Sequence, residues 1–203
     1  AFYFTPFVWQ AGGTMVRQTP DGWRVAFNSP EGVKALQFYK RLRWTRWEKD
    51  GVECQGVVYL SQPGEPWLLR GTVAMVIDNP LNYTGFVGTA GLGTREIGIA
   101  PLPAGPAGSA GIMTAHFLAM NSQIKDAARR RAAWEFIRFQ CSHEAARVRT
   151  ETYVGLGQPH VVHPNDLRMF GYEDYYEDLD PGWRSMYEKV EQVARLEPHT
   201  PGY

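Results

Sequence analysis

The chain has 203 residues, 44% of them hydrophobic and 21% charged, which places it among ordinary globular sequences and excludes a disordered one. Its 21 basic and 21 acidic side chains cancel, so the charge balance gives no footprint for nucleic acid or an anionic membrane. No stretch reaches the roughly 18 consecutive apolar residues of a membrane span, and Cys54 and Cys141, far apart in sequence, make neither a disulfide framework nor a metal pattern.

Residues 1–13, AFYFTPFVWQAGG, are apolar, with a proline inside and a glycine pair at the end, and read as a short helix or irregular wall stopping at Gly12-Gly13. Asp21-Gly22 between two loosely alternating apolar stretches signals a small hairpin. Asn28-Ser29-Pro30-Glu31 is a helix start, with Ser29 as N-cap and Pro30 at the first helical position. The spacing of Val33, Leu36, Tyr39 and Leu42, with Ala35 and Phe38 beside them, predicts a wide buried face on a helix running on through Trp47. Residues 52–63, after Asp50-Gly51, are poorly defined, 65–70 read as a short helix ended by Gly71, and 72–77, TVAMVI, as a strand apolar on both faces. That strand runs into the polar, turn-prone segment 78–83, placed where ligands sit in open α/β sheets.

Residues 96–140 read as a short strand at 97–100, a loop rich in proline, glycine and alanine, a second strand at 116–120, and a helix. A loop of that composition has too few large apolar side chains for a core of its own, so it marks a crossing between two packed pieces. The helix at the end of this stretch keeps Ala133, Trp134, Ile137, Gln140 and Cys141 on one face and Arg129, Arg130, Arg131, Glu135 and Arg138 on the other, a solvated face. Ser142 caps a further helix, Pro164 opens a short one, and Asp180-Pro181 caps the last, in which Trp183, Met186, Tyr187, Val190, Val193 and Ala194 follow helical spacing. The acidic, tyrosine-rich run 173–180 reads as a solvated connection. Ala1 opens directly on an apolar aromatic run rather than a basic leader, so the chain is expected to be a piece of something longer.

No catalytic signature is present: there is no nucleophile elbow, HExxH, phosphate loop or dinucleotide GxGxxG. His160 and His163, with Asp166 following, make a poor metal site without a third ligand, and no metal or cofactor is expected. Much of the 7 Trp, 10 Tyr and 10 Phe must be core, but aromatics in loops and at turns are what a sugar-binding cleft needs, because flat rings suit the C–H faces of sugars.

Five segments occur in one order: FVWQAGG (7–13), FNSPEGVKALQFYKRL (27–42), LLRGTVAMVIDNP (68–80), IGIAPLPAGPAG (97–108) and AAWEFIRFQCSHEAARVRTE (132–151). Together they resemble the extracellular solute-binding proteins of ABC importers, the family-1, sugar-binding class to which maltose-binding protein belongs, over roughly residues 1–155. The resemblance implies an α/β, two-lobe flytrap fold of the periplasmic-binding-protein kind. Residues 1–97 would be mostly second lobe, 98–110 the hinge crossing, 111–157 a returning segment of the first lobe, and 158–203 a helical C-terminal extension. It implies a non-enzymatic, periplasmic or extracellular, cell-surface-associated protein. Such a protein binds a carbohydrate between its lobes and delivers it to ABC permease subunits, meeting the membrane only through the permease or a lipid anchor outside this segment. The family's opening strands are absent here, which fits a C-terminal portion.

By that resemblance the candidate ligand residues are Tyr3 and Trp9, with Gly12 and Gly13 allowing close backbone approach; core packing and a plain turn are the competing readings. A second cluster is Asp78, Asn79, Asn82 and Tyr83, whose amides and carboxylate suit adjacent sugar hydroxyls; an Asx turn is the alternative. The family often carries a tryptophan after the matching strand, and with Leu81 in its place the stacking role passes to Tyr83. Thr114 and His116 form a third, weaker candidate. Two other function classes stay open: a fragment of a carbohydrate-active hydrolase, for which Glu53, Glu65, Asp78 and Glu96 supply carboxylates but no singled-out pair, and a non-catalytic interaction domain.

Overall fold

The computed structural model describes residues 2–56, 68, 70–71, 73–79, 82–83, 97–113 and 117–196. They divide into two compact units, one made of residues 1–114 with 188–203, the other of residues 115–187.

The first unit is organised around its first helix. A 3-10 turn, Phe2–Phe4, leads into α1, Thr5–Gln10, every residue of which is buried. The helix ends in a left-handed Gly12 (φ 91°): the Gly12 N–H donates to the Trp9 carbonyl at 2.9 Å and the Gly13 N–H to that of Val8 at 2.9 Å. These are the two bonds of a Schellman ending, and they satisfy carbonyls that a helix end leaves open. After it, β1 (Val16–Thr19) and β2 (Gly22–Val25) form the expected hairpin, paired from Val16↔Val25 to Thr19↔Gly22.

Helix α2, Pro30–Trp44, starts as the sequence dictates, with Ser29 Oγ accepting from the Gly32 N–H at 3.2 Å. Its buried face is narrower than the apolar spacing predicts. Gly32 and Ala35 are buried and Tyr39 packs against Phe4 and Phe7, with ring centroids 6.0 and 5.5 Å away. Val33, Leu36, Phe38 and Leu42 are exposed. The reason is the partner: six-residue α1 covers one stripe of α2, where small Ala35 packs with Phe7 and Val8. Phe7, Val8 and Ala35 form the resulting core, with Phe4, Ala11, Met15, Tyr39 and Leu102 around it.

The helix also stops three residues earlier than expected. Thr45 leaves the helical region, and β3 (Arg46–Lys49) pairs with β4 (Val52–Gln55) in a second hairpin. Asp50 (φ 53°) and Gly51 (φ 77°) both take left-handed backbone, the geometry of the tight turn that matches strand twist.

Three strand expectations give way. Residues 73–79 form no ladder, and Met75 is 86% exposed, because a strand buried on both faces needs paired neighbours and none of the described residues supplies them. Residues 97–104 run without pairing, and the strand forms later, at β5 (Gly111–Met113), parallel to β6 (Ala194–Leu196). Ala194, expected at a helix end, thus opens a strand. Of the strand expected at 116–120, residues 117–120 are irregular and 116 lies outside the described residues. The expected helix at 65–70, with Trp67, falls mostly outside them too.

The second unit is helical. Asp126 caps α3 (Ala127–Gln140) by accepting from the Arg129 N–H at 2.8 Å, and Ser142 caps α4 (His143–Gly155) by accepting from that of Ala145 at 3.2 Å. No residue of α3 is buried; Ala133, Ile137 and Gln140 are half-buried, while Trp134 is exposed. A 3-10 turn (Pro159–Val161) follows, then α5 (Pro164–Met169), α6 (Glu173–Glu177) and α7 (Pro181–Val193). Ala145, Thr150, Val162, Pro164, Leu167, Leu179, Trp183 and Met186 are buried in it. Cys54 and Cys141 are both free thiols. No described helix is long and apolar enough to cross a membrane.

Candidate functional site

The 3-10 turn that opens the first unit presents a ring outward. Phe4 and Phe7 are held in the core, and between the chain's start and that anchor Tyr3 is left 42% exposed. Its hydroxyl donates to Asp78 Oδ1 at 2.9 Å, across 75 residues of sequence. The same oxygen accepts from the Asn82 side-chain amide at 2.8 Å and from the Asn79 backbone N–H at 2.7 Å. A turn bond from the Asn82 N–H to the Asn79 carbonyl at 3.0 Å holds the segment in shape. Tyr3, Asp78, Asn79 and Asn82, drawn from two separated stretches, therefore meet at one carboxylate.

All three donors fall on Oδ1; among the described residues none reaches Oδ2. The carboxylate is thus fixed in direction with an acceptor to spare. Burial raises the Tyr3 pKa above its ordinary value of 10.0, and the hydrogen bond to Asp78 and that group's charge push the same way. The phenol is therefore a neutral donor at physiological pH. The cluster offers an aromatic face, an amide and an oriented carboxylate within a few ångströms.

Other candidates are placed differently. Trp9 is 5% exposed, and the Arg195 guanidinium lies 5.7 Å from its ring centroid, so the indole is packed within the first unit. Tyr83 is 6% exposed, its hydroxyl donating to the Ile97 carbonyl at 3.2 Å; the exposed aromatic of the cluster is Tyr3. Gly12 and Gly13 make the Schellman ending, and a Cβ on Gly13 would lie 3.0 Å from both Val8 and Glu31 side chains, so these glycines serve helix termination and close packing. Thr114 and His116 lie outside the described residues. Among the described residues no three His, Cys, Asp or Glu side chains gather as metal ligands.

One residue escaped the sequence reading. Gln10, 5% exposed, donates through Nε2 to the carbonyls of Pro103 at 3.0 Å and Ala110 at 3.3 Å, and its own carbonyl accepts from the Ala107 N–H at 2.8 Å. Between those contacts, Gly105 and Gly108 bond to each other in a tight turn, and a Cβ on Gly105 would sit 2.6 Å from Gln10 Cβ. The proline- and glycine-rich loop is thus clamped onto the end of α1. The signal was available: a lone amide in a largely apolar helix must find partners when buried, and a loop poor in regular pairing has carbonyls to offer.

Comparison with known proteins adds one finding. The model of the family described as bacterial extracellular solute-binding protein matches residues 1–147, well over half of the chain, and the chain belongs to that family. Residues 148–203 lie beyond the match. No curated protein matches the chain. The mixed helical and small-sheet content is that of an α/β portion of a solute-binding protein, in a two-lobe, extracellular or periplasmic family of binding proteins rather than enzymes.

Proposed function

We propose that this solute-binding protein captures a carbohydrate, an oligosaccharide in particular, without covalent chemistry and hands it to the permease of an ABC importer. In this reading residues 1–97 belong mostly to the second lobe of the family fold, 98–110 to the crossing, 111–157 to the returning first lobe and 158–203 to a C-terminal extension, with ligand held between the lobes as in the maltose-binding class. The observation that carries it is the meeting of Tyr3, Asn82 and Asp78 at the surface. A carboxylate pinned through one oxygen can accept from adjacent sugar hydroxyls with the other, the Asn82 amide is at hand, and the Tyr3 ring can take a pyranose face. Family membership supports the class of function, and the chemistry of the cluster supports the sugar.

The test is a calorimetric titration of the whole protein with neutral mono- and oligosaccharides, amino acids, short peptides and polyamines. Binding of a saccharide, weakened about tenfold or more in Asp78→Ala and in Tyr3→Ala, is the expected result, since one hydrogen bond to a charged group contributes roughly 1.5–3 kcal/mol. Binding confined to the amino acids, peptides or polyamines would overturn the carbohydrate assignment. Saccharide binding that both substitutions leave unchanged would overturn the site.

A further inference from the structure

The charges of the chain cancel as a whole but not locally. Residues 33–47 carry five basic side chains, no acidic one and four aromatic rings. With Gly32, Ala35 and Tyr39 turned towards α1, helical spacing puts Val33, Leu36, Lys40 and Trp44 on the far side of α2, in steps of three and four that make one stripe. Val33, Leu36 and Trp44 are exposed, Trp44 at 58%. By the same spacing Lys34 and Arg41 border the stripe on one side and Arg43 on the other. The Arg43 guanidinium lies over the Trp44 ring at 5.3 Å, and that of Arg41 over Phe38 at 5.9 Å. Gln37, Lys40, Arg41, Trp44 and Thr45 line an open depression of about 360 Å³. The adjoining hairpin has the same character: Trp47, Lys49 and Val52 share one face of β3 and β4, with Trp47 and Val52 exposed. It is tied to the end of α2 by the Gly56 N–H, which donates to the Thr45 carbonyl at 2.9 Å, and by the Gln55 side-chain amide, which donates to that of Arg43 at 3.3 Å.

Helix-end electrostatics explain part of this pattern, because cations in the last turn suit the negative end of the dipole. They do not explain why indoles stand exposed among the cations, or why no acid accompanies them. Among the described residues Lys40, Arg41 and Arg43 form no ion pair, and no hydrogen bond fixes their charged heads. Arg46 has a partner in Glu53 at 3.0 Å, but both side chains are exposed and the pair contributes little. Such stems are free to lie along apolar matter with their heads turned to anions. An acidic protein would be recognised through cations held in register with its carboxylates, and these are not held. A fluid anionic leaflet needs no register, and tryptophan with lysine or arginine is what an interfacial helix presents to it.

We propose that the outer face of α2, with the hairpin beside it, is a docking surface for an anionic phospholipid bilayer. Trp44, with Trp47 of the hairpin, enters the headgroup layer, and Lys34, Lys40, Arg41 and Arg43 meet the lipid phosphates. The surface shares no residue with the Tyr3–Asp78 cluster, so it holds the protein beside a membrane without occupying the candidate ligand site. An extracellular or periplasmic protein faces phospholipid surfaces directly.

Flotation of the whole protein with vesicles tests this. Vesicles of phosphatidylcholine containing about one third phosphatidylglycerol should carry the protein up the gradient, and pure phosphatidylcholine should not. Salt at about 1 M, which shortens the screening length to about 3 Å, should release it. Each basic residue near an anionic surface changes partitioning roughly fivefold, so Lys40→Gln with Arg41→Gln should weaken binding about twenty-five-fold. Trp44→Ala should weaken it too and reduce the blue shift of indole emission on binding. All three positions are exposed, so the variants should melt as the native chain does. Equal binding to both kinds of vesicle, binding to neither, or a double variant that floats as the native chain does would overturn the proposal. Capture by polyglutamate but not by anionic vesicles would overturn it as well, and would assign the face to an acidic protein.

Discussion

Gln10 offers the sharpest test of how the first unit is held together. Replacing it with alanine removes the amide that serves the Pro103 and Ala110 carbonyls. The bond to Ala110 is buried, so its carbonyl loses its partner with little water to replace it, at a cost of about 1–3 kcal/mol; the part-buried Pro103 carbonyl adds about 1 kcal/mol or less. The one lost methylene adds roughly 0.8 kcal/mol of packing, and the side-chain entropy no longer spent on a fixed glutamine, about 1.5–2 kcal/mol, works the other way. The net expectation is a loss of about 2 kcal/mol. With a urea dependence of about 2 kcal/mol/M, the midpoint should fall by about 1 M. Gln10→Met separates the causes, because it restores the volume without the donors. It should recover the packing part and still expose the 103–110 amides to exchange. If Gln10→Met matches the native midpoint and native protection of that loop, the clamp is packing alone and the hydrogen-bond account is refuted.

Two other substitutions probe the same unit. A Cβ on Gly32 would lie 1.8 Å from the Phe27 carbonyl oxygen, so Gly32→Ala should destabilise by about 1–2 kcal/mol despite the roughly 1 kcal/mol that alanine gains in a helix; thermal melting that shows a more stable variant would contradict the close approach. The Tyr3 phenol, raised by burial and then by Asp78, should ionise at lower pH in Asp78→Asn, where the charge is gone and the burial remains; carbon-labelled tyrosine spectra that place it unchanged would separate Tyr3 from Asp78.

Local chemistry was the most legible part of this sequence. Ser29-Pro30, Ser142 and the Asp21-Gly22 turn act where the residue types say they must, because a cap or a tight turn is settled within a few residues. The hairpin of β3 and β4 is equally local, with Asp50-Gly51 marking its turn, yet the helix expected to run through Trp47 ends at Trp44. What pattern could not reveal was which apolar face finds a partner. Val33 and Leu36 look as buried as Ala35 in sequence, and only the short α1 decides between them. The cluster at Asp78 was legible as two separate groups of polar and aromatic residues. That Tyr3 joins Asp78 while Tyr83 turns inward depends on contacts 75 and 14 residues apart, which no local spacing encodes.

The parallel pair of β5 and β6 also sets an order of events during synthesis. Gly111 meets Ala194, so the first unit takes a strand from chain made about eighty residues later, after the whole of 115–187 has emerged. Two-residue hairpins such as β1–β2 can close in microseconds, but this pairing must wait. Until it closes, Trp9 lacks the Arg195 guanidinium beside its ring, and the Gly111–Met113 edge stands open. A nascent chain cut short before residue 194 would therefore expose an unpaired strand, and the first unit, begun earliest, is completed last.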